Sequence, residues 1–115
     1  MTGITWCIIR WQFEGQHYWK DAKDFLKNPH RHVFHCEAWI SQNHADRELE
    51  FFDVKGILSN KVWLQTPDTK SCEMIAQEIA GYILASWGGD RKVKVIVSED
   101  GENAGAWQNW GYDEN

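Results

Sequence analysis

Three histidines set the tightest limit on how this chain can fold: His17 and the pair in His30-Arg31-His32. The pair opens a run, His30 to Ile40, that follows the turn former Asn28-Pro29. The run is rich in aromatic and β-branched residues and reads as a strand. Side chains two apart on a strand share a face. His30 and His32 therefore stand side by side, with Phe34, Cys36, Ala38 and Ile40 continuing their face. His17 lies just past an earlier strand, and it reaches the pair if the two strands run antiparallel as neighbours. Two imidazoles on a rigid strand plus a third beside them are the ligands of a catalytic zinc site, which keeps one position open. On its own, an HxH pair fits surface histidines in an ordinary hairpin. The rest of the chain favours the metal.

The first strand is expected over Ile4 to Phe13. Trp6, Ile8 and the Arg10 stem share one face; Thr5, Cys7, Ile9, Trp11 and Phe13 share the other. A strand apolar on both sides calls for a sheet or subunit neighbour on its second face. Glu14-Gly15-Gln16 is expected to break it. The loop Tyr18 to Lys27 has room for one helical turn. Ser41 to Asp46 is a cluster of turn formers. Glu48-Leu49-Glu50-Phe51 reads as the end of a strand beside the histidine strand. It runs into a short helix with apolar residues at 51, 54, 57 and 58. Trp63 and Leu64 lie in a connector ending at Pro67.

A helix follows from about Ser71, its N-cap, to Trp87, with Glu73 in the first turn. Its apolar stripe is Ile75, Ile79, Tyr82, Ile83 and Trp87, and Gly88-Gly89 stops it. Lys92 to Ser98 is a strand whose face carries Val93, Val95, Val97 and then Glu99. Asp100 to Trp107 has room for a short closing strand, and Asn109 to Asn115 is expected to fray. Strands, helices and strands in this order make an α+β fold, ββααββ, with helices on one face of an antiparallel sheet.

The 115 residues fit one domain, 1–115, and a chain this long can bury about two-thirds of its unfolded surface. Eight tryptophans exceed what a core of this size needs, so some are expected in an interface or ligand pocket. A net charge of -5 argues against a nucleic-acid partner held by phosphate neutralisation. Three cysteines without CxxC spacing fit a reducing compartment better than a disulfide framework. With no signal-peptide pattern and no apolar run long enough to span a bilayer, the expectation is a cytoplasmic protein with no membrane partner.

Several motifs, in order, resemble the 6-pyruvoyltetrahydropterin synthase and 6-carboxytetrahydropterin synthase family, whose subunits have the T-fold. Phe13-Glu14-Gly15-Gln16-His17 is similar to the family's first metal histidine, and His30-Arg31-His32 stands where the family has His-Gly-His. Glu50-Phe51-Phe52-Asp53-Val54-Lys55 resembles its Asp-Phe-x-x-Leu-Lys stretch, and Ser71-Cys72-Glu73 its Thr-Ser-Glu helix start. Val97-Ser98-Glu99 matches the strand-borne glutamate that anchors a pterin ring. The resemblance implies Zn²⁺ held by His17, His30 and His32, and a substrate site made by Glu99, Glu73 and Ser71. It further implies homo-oligomers closed into a barrel, with active sites between subunits. The implied activity is that of a zinc-dependent carbon–oxygen lyase or synthase. Its implied substrate is dihydroneopterin triphosphate or a related reduced pterin, in 7-deazaguanine (queuosine) or pterin synthesis.

The catalytic residues depart from that pattern. Leu26 stands where the family's lyases have a cysteine, and the connector Ser59 to Lys70 holds no histidine, with Asp68 its only acid. Asp21 or Asp24, in the loop between the zinc ligands, could supply a carboxylate base. Cys72 could supply a thiolate if the helix start lowers its pKa. The departures leave open a binding protein for a purine or pterin, or altered chemistry on a nucleobase-like substrate. His35 points away from the metal face and His44 sits in a turn.

Overall fold

A computed structural model describes residues 3–65 and 68–111. Four strands form one antiparallel sheet in the order β1-β2-β3-β4: β1 Thr5–His17, β2 His30–Gln42, β3 Val93–Glu99 and β4 Ala104–Gln108. Two helices, α1 Phe51–Ser59 and α2 Cys72–Trp87, sit between β2 and β3 in sequence. The α+β order ββααββ is as expected.

Strand alternation sorts the core. Cys7, Ile9, Trp11, Phe34, Cys36, Ala38, Ile40, Val93, Val95 and Val97 face the helices and are buried against Val54, Leu58, Ile75, Ile79 and Ile83. Each large aliphatic buried this way contributes roughly 1.5–3 kcal/mol. Among the described residues, neither helix packs its buried residues against the opposite face. Trp6 packs edge-on to Trp39 and tilted against Trp110 there, beside an Arg10–Glu37 ion pair.

Three boundaries differ from expectation. Gly15 does not break β1; the strand runs on to His17, pairing Gly15 with His32 and His17 with His30. A Cβ on Gly15 would lie 2.8 Å from Leu64 Cδ2, so the glycine admits a close neighbour instead of making a turn. Glu48 to Glu50 is not strand. Leu49 is buried and anchored by its N–H to Gln42 Oε1, and the Glu50 carboxylate caps α1 by accepting from Asp53 N. Asn109 and Trp110 do not fray: Asn109 Oδ1 accepts from Val93 N, its Nδ2 donates to Arg91 O, and Trp110 rests on Trp6. The rest of that tail, 112–115, lies outside the described residues. The loop's single turn is a 3-10 helix, Phe25–Lys27, and α2 starts at the Ser71 cap, whose Oγ accepts from Met74 N.

Arg91 ties the β2 end of the sheet to the turn before α1. Its guanidinium donates to Ser41 O and to Glu48, which also accepts from Asn43 N, and this holds the Glu48 carboxyl down at about 2 instead of 4.5. A depressed acid stabilises the fold above its unfolded pKa and loses that contribution as pH falls through the folded one. Glu48→Gln is therefore expected to flatten the loss of stability between about pH 4.5 and 2. Urea midpoints measured across that range check it.

Candidate metal centre and ligand cavity

The register of β1 and β2 decides the site. Pairing His17 opposite His30 brings their ring centroids to 4.7 Å, and His32, two residues along the same face, lies 5.3 Å from His17. Glu99 ends β3 opposite Phe34 and points into the same space. One ligand atom from each of His17, His30, His32 and Glu99 lies within 4.8 Å of the others. The expected triad is thus brought together, and Glu99 joins it.

The outer hydrogen bonds orient all three rings. His17 Nδ1 lies 3.0 Å from Lys70 O and His30 Nδ1 2.9 Å from Asn28 O. A carbonyl only accepts, so both Nδ1 atoms carry the proton and, in a neutral ring, each Nε2 offers its lone pair inward. His32 Nδ1 lies 2.7 Å from Asp100 Oδ2. On the inner side, His17 Nε2 and His32 Nε2 lie 2.7 and 3.0 Å from Glu99 Oε2. His30 Nε2 is buried without a hydrogen-bond partner among the described residues. A buried orphan nitrogen aimed at three other donors is costly unless something coordinates it. An imidazole-and-carboxylate donor set with each outer Nδ1 bonded to oxygen fits a divalent metal of the zinc kind.

Asp100 was not legible as part of the site. Asp100-Gly101 forms the β3–β4 turn with both φ angles positive, at 56° and 76°. Asp100 N donates to Val33 O and Asp100 Oδ1 accepts from Val33 N, so the turn grips β2 beside His32. The His32 hydrogen bond, then that of Val33, lowers the Asp100 pKa. The sequence placed Asp100 at the start of a possible closing strand, and nothing in it tied this residue to His32. Replacing Asp100 with alanine is expected to weaken metal binding about 10–100-fold while leaving three ligands, as loss of an outer partner does elsewhere. Competition against a chelating dye measures it.

Beside the centre lies a cavity of about 570 Å³, within the range of small-molecule sites. His17, His30 and Glu99 line one end, the α2 start with Ser71, Cys72 and Glu73 another, and Trp19 the rim. Gly105 lets the helix start close on β4: a Cβ there would meet Glu73 N at 2.6 Å. The proposed bases are placed differently. Asp24 is exposed, uses Oδ1 to accept from Leu26 N and does not line the cavity; Asp21 is exposed as well and likewise outside the lining. Cys72 lines it, but its thiol is pushed up to about 12 by burial, then by Glu99 and Glu73. That is opposite to the lowering expected at a helix start, because desolvation outweighs the dipole. Leu26 lines the cavity as an apolar residue, and Asp68 accepts with both oxygens from the backbone of Gln65, Thr69 and Lys70.

The sequence matches no known family model and no curated protein. The likeness to the pterin synthases therefore rests on the motifs quoted above. His35 is exposed beside Gly101, and His44 accepts from Asp46 N in its turn. Among the described residues no helix is long and apolar enough to cross a membrane.

Proposed function

We propose that this chain is a metal-dependent enzyme of the pterin-synthase type, with the T-fold, acting on a reduced pterin or purine-like heterocycle. One observation carries the reading: three imidazoles, each held from outside at Nδ1, turn their Nε2 atoms toward one point at the end of a ligand-sized cavity. His17, His30 and His32 hold the ion. Zn²⁺ bound there supplies a Lewis acid that polarises a hydroxyl or carbonyl of the ligand. Glu99 and Glu73 offer carboxylates to ring N–H and amino donors, which read one edge of a base. The uncovered aromatic face and the two edge strands, β1 and β4, support assembly of several copies, which would enclose the cavity between subunits.

A second reading, a binding protein that has lost lyase chemistry, is favoured by the cavity's lack of an activated thiol: Leu26 is apolar and Cys72 is held protonated. Mass spectrometry separates the two. Zinc-loaded protein is incubated with 7,8-dihydroneopterin, its triphosphate and guanosine, with and without chelator. Chelator-sensitive conversion of any of them supports the enzyme. Binding that is weakened by Glu99→Gln, without conversion, supports the binding protein. Neither binding nor conversion rejects both.

A further inference from the structure

Building on that reading of the cavity, we infer that its ligand is an uncharged planar heterocycle carrying no phosphate chain, and that Trp19 is the wall it stacks on. The cavity holds the Glu73 and Glu99 carboxylates and a single lysine or arginine, Lys70. The Lys70 ammonium is already engaged, 2.8 Å from Glu78 and 3.4 Å from Trp63 O. Lys20, Lys23 and Lys27 sit on the neighbouring loop, interleaved with Asp21 and Asp24, and none lines the cavity. The residues outside the described set include no lysine or arginine. A divalent ion held by the histidines would have its charge offset by Glu99 and by Asp100 behind His32.

A helix N-terminus is the other feature that draws an anion, and α2 begins at this cavity. Its first turn is already served: Ser71 Oγ accepts from Met74 N, and the Glu73 carboxylate lies in the positive end of the dipole. From the described residues of one chain, a triphosphate entering here meets two carboxylates and no free ammonium or guanidinium. The apolar side of the cavity is better supplied. Trp19 is 60% exposed yet lines the cavity, and its loop is held by Trp19 N on Leu26 O at 2.7 Å and Tyr18 N on Asp68 O at 2.9 Å. An exposed indole on a pinned backbone offers a flat face to a flat ligand. This separates the chain from enzymes that expel triphosphate from their substrate.

Calorimetric titration of the full zinc-loaded chain tests it with two matched pairs: 7,8-dihydroneopterin against its triphosphate, and guanosine against guanosine triphosphate. The phosphate-free member of each pair is expected to bind at least as tightly as the phosphorylated one. Trp19→Ala is expected to weaken it about tenfold or more, as loss of a stacking partner does. Met74→Lys, which adds an ammonium at the rim, is expected to strengthen the triphosphates selectively. A triphosphate bound tenfold tighter than its partner overturns the inference while leaving the pterin- or purine-site reading intact. So does a triphosphate affinity unmoved by Met74→Lys, and an unchanged affinity in Trp19→Ala removes the stacking wall. If no member of either pair binds, the reading of the cavity itself fails, and this inference with it.

Discussion

His32→Ala protein is expected to fold normally and to hold no metal after dialysis, where the parent chain holds one ion. His32 is the middle of the centre: its Nε2 faces Glu99 and its Nδ1 faces Asp100. Losing only an outer partner costs about 10–100-fold in affinity, so loss of a ligand is expected to exceed a hundredfold. The fold is expected to survive because the hydrophobic core contains no histidine and, beyond Phe34, lies further along the sheet. Plasma mass spectrometry of metal content gives the number, with His35→Ala, on the opposite face, as the control that keeps its metal. Thermal melts give a second measure, since a ligand that binds only the folded state raises its stability. Added zinc is expected to raise the Tm of the parent and the control but not of His32→Ala. One ion per chain in the His32 variant would eliminate the proposed cage.

Phe34→Ala is expected to cost about 3–5 kcal/mol, the range for deleting a fully buried aromatic. Phe34 has no exposed surface, stacks on Phe13 at 5.1 Å and meets the rings of His17 and His32 edge-on at 5.2 and 5.8 Å. It is at once a core residue of β2 and the floor of the candidate metal centre. The cavity left behind is expected to lower the urea midpoint and to loosen metal binding together, because two of the ligand rings lose their support. The denaturant slope should stay unchanged. A cost below about 1 kcal/mol would show that the Phe13 ring and the two imidazoles repack without it, contrary to the close packing of protein interiors.

Much of this arrangement was readable in the residues. The two-residue period placed His30 and His32 on the face of Phe34 and Cys36, and the helix period placed Ile75, Ile79 and Ile83 inward. Capping chemistry located the start of α2 at Ser71. The misreadings have a common physical cause. Gly15 reads as a breaker by propensity, yet it serves a contact with Leu64, a residue 49 positions away. Leu49 reads as strand, but its backbone partner is the Gln42 side chain. Cys72 reads as an activated thiol from its place at a helix start, whereas the sheet buries it beside two carboxylates. In each case a contact made only in the folded chain outweighs a local preference.

From sequence alone came the candidate ligand types, the faces they occupy and the order of elements that could bring them together. These follow from side-chain periodicity and local backbone chemistry, which act over a few residues. Tertiary structure decided the register that sets His17 against His30, the arrival of Glu99 from β3, and the oxygen behind each ring. Two of those oxygens are main-chain carbonyls, of Asn28 and Lys70, and the third is Asp100 from a distant turn. A carbonyl is the same group at every position in the chain, so only the folded path of the backbone can determine which one meets a given imidazole.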